Sequence, residues 1–324
     1  MKILHALAPC RGPVPVWGHA TFEPILELPS LLPRAQERRR AGAYSGIMRS
    51  VTTAAVLRYR RAVARRHPVR TKGDALRFID ALGFCYAFTS GPGHVPGLFD
   101  VLATRSIDRM WTWAWRWKDE LATQRRVHYG KVIRRKPSYV SLALLPAFYA
   151  LSGNVGEADD HEQAYREGRL SHMAKAIYDA ILSDGPVSTW ALRRRFVAKR
   201  DSGARFHRAL DDLQERFLIA KAGEEAEWRH GFIWDTFHRW MPSVVQAAGA
   251  LSAEAAAAEV LARYVRMLGF ATDADIATTF GWRLAVIDRA AEDADLERIE
   301  VRDNRASLGT LRDAPALAWT SPRR

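Results

Sequence analysis

With 324 residues, 48% of them apolar and 26% charged, the chain has the composition of two or three globular domains, each able to bury a core, and not of a disordered polymer. Its two cysteines, Cys10 and Cys85, exclude a disulfide framework, and no CxxC pair or Cys/His cluster offers a tetrahedral zinc site, so a reducing cytoplasmic setting without metal or cofactor is expected. The longest uncharged apolar stretch falls short of the roughly 18 residues that cross a bilayer, so no membrane span is expected.

The formal net charge of +13 is local: residues 1–47 carry +3, residues 48–150 carry +13 and residues 151–324 carry −3. A cationic field confined to one segment draws in a polyanion by counterion release, and nucleic acid is the usual one; an anionic membrane surface is the alternative.

Residues 1–47 show no sustained period, contain six prolines and run through Glu37, Arg38, Arg39 and Arg40. They read as a poorly ordered arm, and Met48 raises the alternative of a start codon assigned too early. The opening MKILHALAPC is interrupted by His5 and Pro9, unlike a signal peptide. From Thr52 to Arg66, Ala55, Val56, Tyr59 and Val63 share one helical face while arginines fill the rest. Thr71 then caps a second helix with Asp74 three residues on; Leu76, Phe78, Ile79 and Leu82 form its stripe and Gly83 closes it. The glycines of GPGHVPG, residues 91–97, fit neither GxGxxG nor a P-loop and read as a plain loop.

Trp111, Trp113, Trp115 and Trp117 follow. A strand would put all four indoles on one face, and a helix would make two i,i+4 pairs. Both geometries suit a buried aromatic core, and both leave room for indoles that stack on bases. Downstream, Arg125, Arg126, Lys131, Arg134, Arg135 and Lys136 interleave with Tyr129 and Tyr139 over a strand-like segment, as a nucleic-acid face or a merely solvated one. Residues 48–151 thus read as a basic, winged-helix-like domain.

Residues 152–168, rich in Gly, Asp and Glu, read as a linker. Between 165 and 223 come three helical stripes and a strand. Met173, Ile177 and Ile181 mark the first stripe, Trp190, Leu192 and Phe196 the second, and Phe206, Ala209, Leu210, Leu213 and Phe217 the third; Leu218 to Ala222 is the strand. That is the order of a winged helix, whose third helix enters the major groove. Arg205, His207 and Arg208 lie in its first turns and Arg193 ends the preceding helix, whereas Asp211, Asp212 and Glu215 oppose DNA further along. Residues 250–305 repeat the plan in acidic surroundings, leaving 306–324 as a tail. The expected fold is mainly α with small β-wings, in tandem winged-helix units.

The chain resembles the winged-helix DNA glycosylases of the AlkZ/YcaQ superfamily, and within it the AlkZ-related group. The resemblance spans about residues 52–305 and is carried by WRWKDELATQRRVHYGKVIRRKPSYVSLALLPAFYAL (Trp115 to Leu151) and ARFHRALDDLQERFLIAKAG (Ala204 to Gly223). It implies a concave basic surface that holds duplex DNA around a damaged base. It also implies a Gln-x-Gln or Gln-x-Asp motif after the glycine of an early helix, its last residue positioning the hydrolytic water. Here Gly83 is followed by Phe84, Cys85, Tyr86, Ala87 and Phe88, with neither glutamine nor aspartate. The family's C-terminal β-domain has no evident counterpart either.

Hydrolysis of a glycosidic bond requires a group that orients or deprotonates water. The candidate substitutes are Asp119 and Glu120, where a carboxylate beside indoles could have a raised pKa; ion pairing or capping is the structural alternative. The leading reading is therefore a binder of damaged or distorted duplex DNA, a monomer if it follows the glycosylases and otherwise of open oligomeric state. Arg58, Arg61, Lys118, Arg125, Arg126, Lys131 and Arg134 would contact phosphates, Arg193, Arg205, His207 and Arg208 would lie on or beside a groove, and Trp115, Trp117 and Tyr129 would stack on bases. An active glycosylase built on Asp119 and a transcriptional regulator reading bases through residues 204–217 are the alternatives.

Overall fold

The computed structural model describes residues 50–197, 202–225, 231–302 and 316–318. They form a mainly helical protein with three small sheets, and no single helix among them is long and apolar enough to cross a membrane. The arm at 1–47 lies outside the described residues.

Strand β1 (Ser50–Thr52) runs into α1 (Thr53–Arg65), whose N-cap Thr52 accepts from the Ala55 amide. Val56 and Val63 are buried and Arg58, Arg61 and Arg65 are exposed, as the stripe requires. Helix α2 (Lys72–Leu82) begins with a full capping box between Thr71 and Asp74. Gly83 ends it at φ 84°, where a Cβ would also meet Arg263 and Leu144 at 2.7 and 2.9 Å. After β2 (Phe84–Tyr86) the 91–97 loop packs tightly on a later segment: the Tyr264 hydroxyl donates to the Gly93 carbonyl at 2.6 Å. A Cβ on Gly93 (φ 69°) would collide with Thr279, so this glycine serves close approach.

The tryptophan segment is helical, α3 (Ile107–Thr123), and leads into the hairpin of β3 (Val127–Ile133) and β4 (Lys136–Ser141). Arg134 and Arg135, at φ 52° and 55°, form its two-residue turn, with the left-handed geometry that matches strand twist. Helix α4 (Leu145–Ala150) follows. The expected linker is in part a helix, α5 (Asp160–Arg166), because His161 and Ala164 bury on α6 (His172–Asp184), with the His161 ring 4.2 Å from that of Tyr178. The acidic composition concealed those two inward positions.

From α6 the order is β5 (Val187–Ser188), α7 (Thr189–Phe196), α8 (Ser202–Glu215), β6 (Ile219–Glu224) and β7 (Phe232–Thr236). These elements enclose a core of their own that includes Ile177, Tyr178, Leu192, Phe206, Leu213 and Trp234. Two short helices, α9 (Phe237–Trp240) and α10 (Pro242–Ala248), connect to α11 (Ala253–Leu268). Then come β8 (Ala271–Thr272), α12 (Asp273–Phe280), α13 (Leu284–Asp293), β9 (Glu297–Arg302) and β10 (Ala316–Ala318). Residues 316–318, expected in a tail, pair instead with both β8 and β9, which extends this unit beyond 305.

The alanine-rich α11 buries Val260, Leu261, Tyr264, Val265 and Leu268 in a core continuous with Phe78, Phe84, Tyr139 and Phe148 of the first segment. Arg60 of α1 donates to the Leu268 and Phe270 carbonyls at 3.2 and 3.1 Å, which satisfies the end of α11. The first and third segments are therefore one packed body. All three sheets share one plan: the strand orders are β2-β4-β3, β5-β7-β6 and β8-β10-β9, the last with β1 added in parallel beside β9. In each sheet the last strand of the chain lies in the middle.

Candidate nucleic-acid interface

The basic residues separate into an outward and an inward set. Arg58, Arg61, Arg126, Arg134, Arg205 and Arg208 are exposed and make no ion pair among the described residues. Arg193 donates to His207 Nε2 at 3.2 Å, which ties the end of α7 to the start of α8. The Arg125 guanidinium lies 4.0 Å from the centre of the Trp240 ring.

Of the lysines expected on phosphates, Lys118 is buried and Lys131 is partly exposed and held in an ion pair. Lys131 pairs with Asp211 at 2.8 Å, and its neighbour Arg135 pairs with Asp212 at 2.6 Å and Glu215 at 2.9 Å. The acidic positions of α8 that oppose DNA in the sequence are thus contacts to the β3–β4 hairpin. Lys118 is 1% exposed. Burial of an ammonium demands partners, and it has them in Asp119 and Glu224, which it shares with Lys221. The two lysines are ringed by Trp115, Tyr129 and Phe232.

This cluster decides the state of Asp119. Burial pushes its carboxyl up, but hydrogen bonds with Glu224, Lys118 and Lys221 outweigh that and hold it below the usual aspartate range. Of the two readings of Asp119, the geometry matches ion pairing and not a raised pKa: Lys118 and Lys221 both donate to its Oδ1. Burial raises Glu224, helped by its hydrogen bond to Asp119, and burial lowers Lys221, helped by the charge of Lys118. Glu120 is lowered by hydrogen bonds from Lys72 and Arg116, at 2.7 and 2.6 Å. The sequence reading missed Lys221 and Glu224, although a lysine between Ala220 and Ala222 in an apolar strand is a visible anomaly.

Strand β2 is the segment after Gly83 where the resemblance implies a glutamine motif, and it carries neither a carboxylate nor an amide side chain. Phe84, Cys85 and Tyr86 are buried, and burial raises both the Cys85 thiol and the Tyr86 phenol, the latter to about 12. The Tyr86 hydroxyl donates to the Pro92 carbonyl at 3.3 Å. A second cluster, His161, Glu162 and Asp179, has the donor spacing of a cation site, but Lys175 Nζ already sits 2.7 Å from Glu162 and 2.9 Å from Asp179.

The tryptophans sort by helical face. Trp117 is buried and stacks on Trp113 with ring centres 5.0 Å apart, while Trp111 and Trp115 are 44% and 52% exposed. Of the three expected base-stacking residues, Trp117 and Tyr129 lie inside and Trp115 lies outside, as does Trp111 one turn before it.

The family described as AlkZ related matches residues 69–281, and the chain belongs to it. Among solved structures, the Streptomyces sahachiroi DNA glycosylase AlkZ aligns with a TM-score of 0.50 and 12% identity over 78% of this chain and 68% of that one, a likeness of fold. No curated protein matches the chain. This is a DNA glycosylase-like protein in sequence family and in architecture.

Proposed function

We propose that the protein binds DNA through tandem winged helices and recognises damaged or distorted duplexes. The observation that carries this reading is the strand order repeated in three sheets, each hairpin entered from a helix (α3, α8 or α13) in the position of a recognition helix. The first two of these helices carry or adjoin exposed arginines without acidic partners among the described residues: Arg109 in the first turn of α3 with Arg105 just before its N-cap, and Arg205 and Arg208 in α8. Arg58, Arg61, Arg126 and Arg134 add phosphate contacts, which set position and carry little sequence information. The solved relative in the same fold is a DNA glycosylase, which supports DNA as the ligand class.

Hydrolysis is outside this reading, because Asp119 is held by two lysines and β2 is apolar. Base-specific regulation has less support too, since α8 spends Asp211, Asp212 and Glu215 on an internal contact. Binding of a labelled duplex by the full chain, followed over roughly 50 to 200 mM salt, should weaken with a log–log slope of about −0.9 per neutralised phosphate. Affinity indifferent to salt overturns the proposal. Abasic sites formed by the native chain and absent with Asp119→Asn would instead establish a glycosylase using that carboxylate.

A further inference from the structure

Helix α3 has two apolar faces where packing needs one. The inner face buries Ala114, Trp117 and Leu121. The outer face runs through Ile107, Trp111 and Trp115 at i, i+4 and i+8, with exposures of 67%, 44% and 52%. These are large side chains left in water next to one another, the arrangement that marks an interaction site on a folded protein. The two indoles are braced from behind: Phe88 lies 5.9 Å from Trp111 and 5.8 Å from Trp115, and Phe99 lies 4.7 Å from Trp111. Trp115 also has Lys118 Nζ 4.7 Å from its ring centre, and both indoles still keep about half of their surface in solvent.

The charge along this stripe selects its occupant. Arg105 and Arg109 are exposed and in no ion pair among the described residues, they outnumber the exposed Asp108 of the same turn, and Arg116, also exposed, pairs with Glu120 at 2.6 Å. The surface therefore favours a partner that combines flat apolar faces with negative charge. A fully paired duplex does not fit. Its base faces are hidden in the stack, and the groove edges it displays are read by converging hydrogen-bonding side chains, of which isoleucine supplies none and each tryptophan a single N–H donor. Unpaired bases on a phosphodiester strand fit both requirements, since every base has a face that stacks on an aromatic ring. Trp111 and Trp115 are separated by about 6 Å along the helix axis.

We infer that the Ile107–Trp111–Trp115 stripe of α3 is a stacking platform for unpaired nucleotides, so that the form of DNA this protein selects is one with bases out of the duplex stack. The inference rests on the DNA-binding reading above and narrows it. It places the selective contact on α3, outside β2, where the family's catalytic motif is missing.

The test compares two labelled duplexes of one sequence, one fully paired and one with a three-nucleotide bulge, at fixed salt, using the full chain. Stacking on two indoles should favour the bulged duplex by roughly tenfold or more. In Trp111→Ala/Trp115→Ala the bulged duplex should lose roughly that factor, while the paired duplex stays within about threefold because its phosphate contacts remain. Trp111→Phe/Trp115→Phe, which keeps an aromatic face and the Phe88 contact, should retain most of the preference. The inference is overturned if the alanine pair keeps the preference, if the native chain has none, or if sedimentation shows a dimer that the alanine pair dissolves, which would make the stripe a contact between copies. Failure of the native chain to bind either duplex removes the DNA-binding reading itself.

Discussion

Lys131 of the β3–β4 hairpin reaches Asp211 of α8 at 2.8 Å, and one turn of the hairpin away Arg135 spans Asp212 and Glu215. The most basic stretch of the sequence is thereby clasped to an acidic helix face more than 70 residues downstream. The +13 of residues 48–150 overstates the charge available to a partner, because part of it is used inside the molecule. What remains outward is the arginine set of α1, the hairpin turn at Arg134, Arg126 and the first turns of α3 and α8.

Removing the acidic half of the clasp should release its cations. Asp211→Asn/Asp212→Asn is expected to raise non-specific DNA affinity and steepen the salt dependence by about one to two units of log–log slope. Stability should fall by only about 0.2–1 kcal/mol per pair, since these groups are partly exposed. A salt titration beside a urea melt reads both, and an unchanged slope would show that Lys131 and Arg135 point away from DNA even when free.

The Lys118–Asp119–Lys221–Glu224 cluster behaves differently because its lysines are buried. Lys221→Met leaves Glu224 and Asp119 with one ammonium between them, and breaking a buried network by removing one partner costs on the order of 3–5 kcal/mol. Combining it with Glu224→Gln removes the surplus negative charge and should recover part of the loss. A double-mutant cycle in denaturant measures the coupling, and strict additivity would mean that the two groups do not share a network.

Caps and helical stripes were legible in the sequence, since each depends on residues within a turn or two: Thr71 with Asp74, Gly83 as a stop, Phe78 and Ile79 facing inward. The tryptophan run was not, because indoles spaced by two satisfy both a strand and a pair of helical faces. Only the bracing rings of Phe88 and Phe99, from a separate loop, decide which indoles stay outside. The pairing of Lys118 with Glu224 and of Lys131 with Asp211 joins positions 106 and 80 apart, which no local pattern encodes. Residues 152–168 misled for the opposite reason, their composition outweighing two buried positions. Strand order in the three sheets likewise needed the pairing itself.

His128 should make stability pH-dependent. It is buried on β3 between Phe217 and Phe237, each ring 5.4 Å away, its Nε2 has no partner, and burial lowers its pKa to about 3. The folded state keeps the ring neutral while the unfolded chain protonates it near its ordinary value. The resulting stability is fully present above the unfolded pKa of 6.5 and is lost as pH falls toward the folded one. Going from about pH 7 to about pH 5 should cost about 2 kcal/mol from this group alone. His128→Phe removes the titration, so its denaturant stability should fall less over the same interval. An identical pH dependence in both proteins would place the proton uptake elsewhere.

The exposed arginines allow the phosphate and groove roles to be separated. Arg58 and Arg61 project from successive turns of α1, while Arg205 and Arg208 share the start of α8, the proposed groove-entering helix. Each substitution by alanine at Arg58 or Arg61 should weaken all sequences alike and reduce the salt slope by about one unit. At Arg205 or Arg208, a contact to a base edge would add a dependence on sequence of about 1–3 kcal/mol, whereas a backbone contact would leave none. A protein that selects DNA by unpaired bases has little use for edge readout, so the expected outcome is uniform weakening at all four positions. Binding of each variant to a panel of unrelated duplexes measures this directly, and a loss restricted to particular sequences at Arg205 would transfer the selective role from α3 to α8.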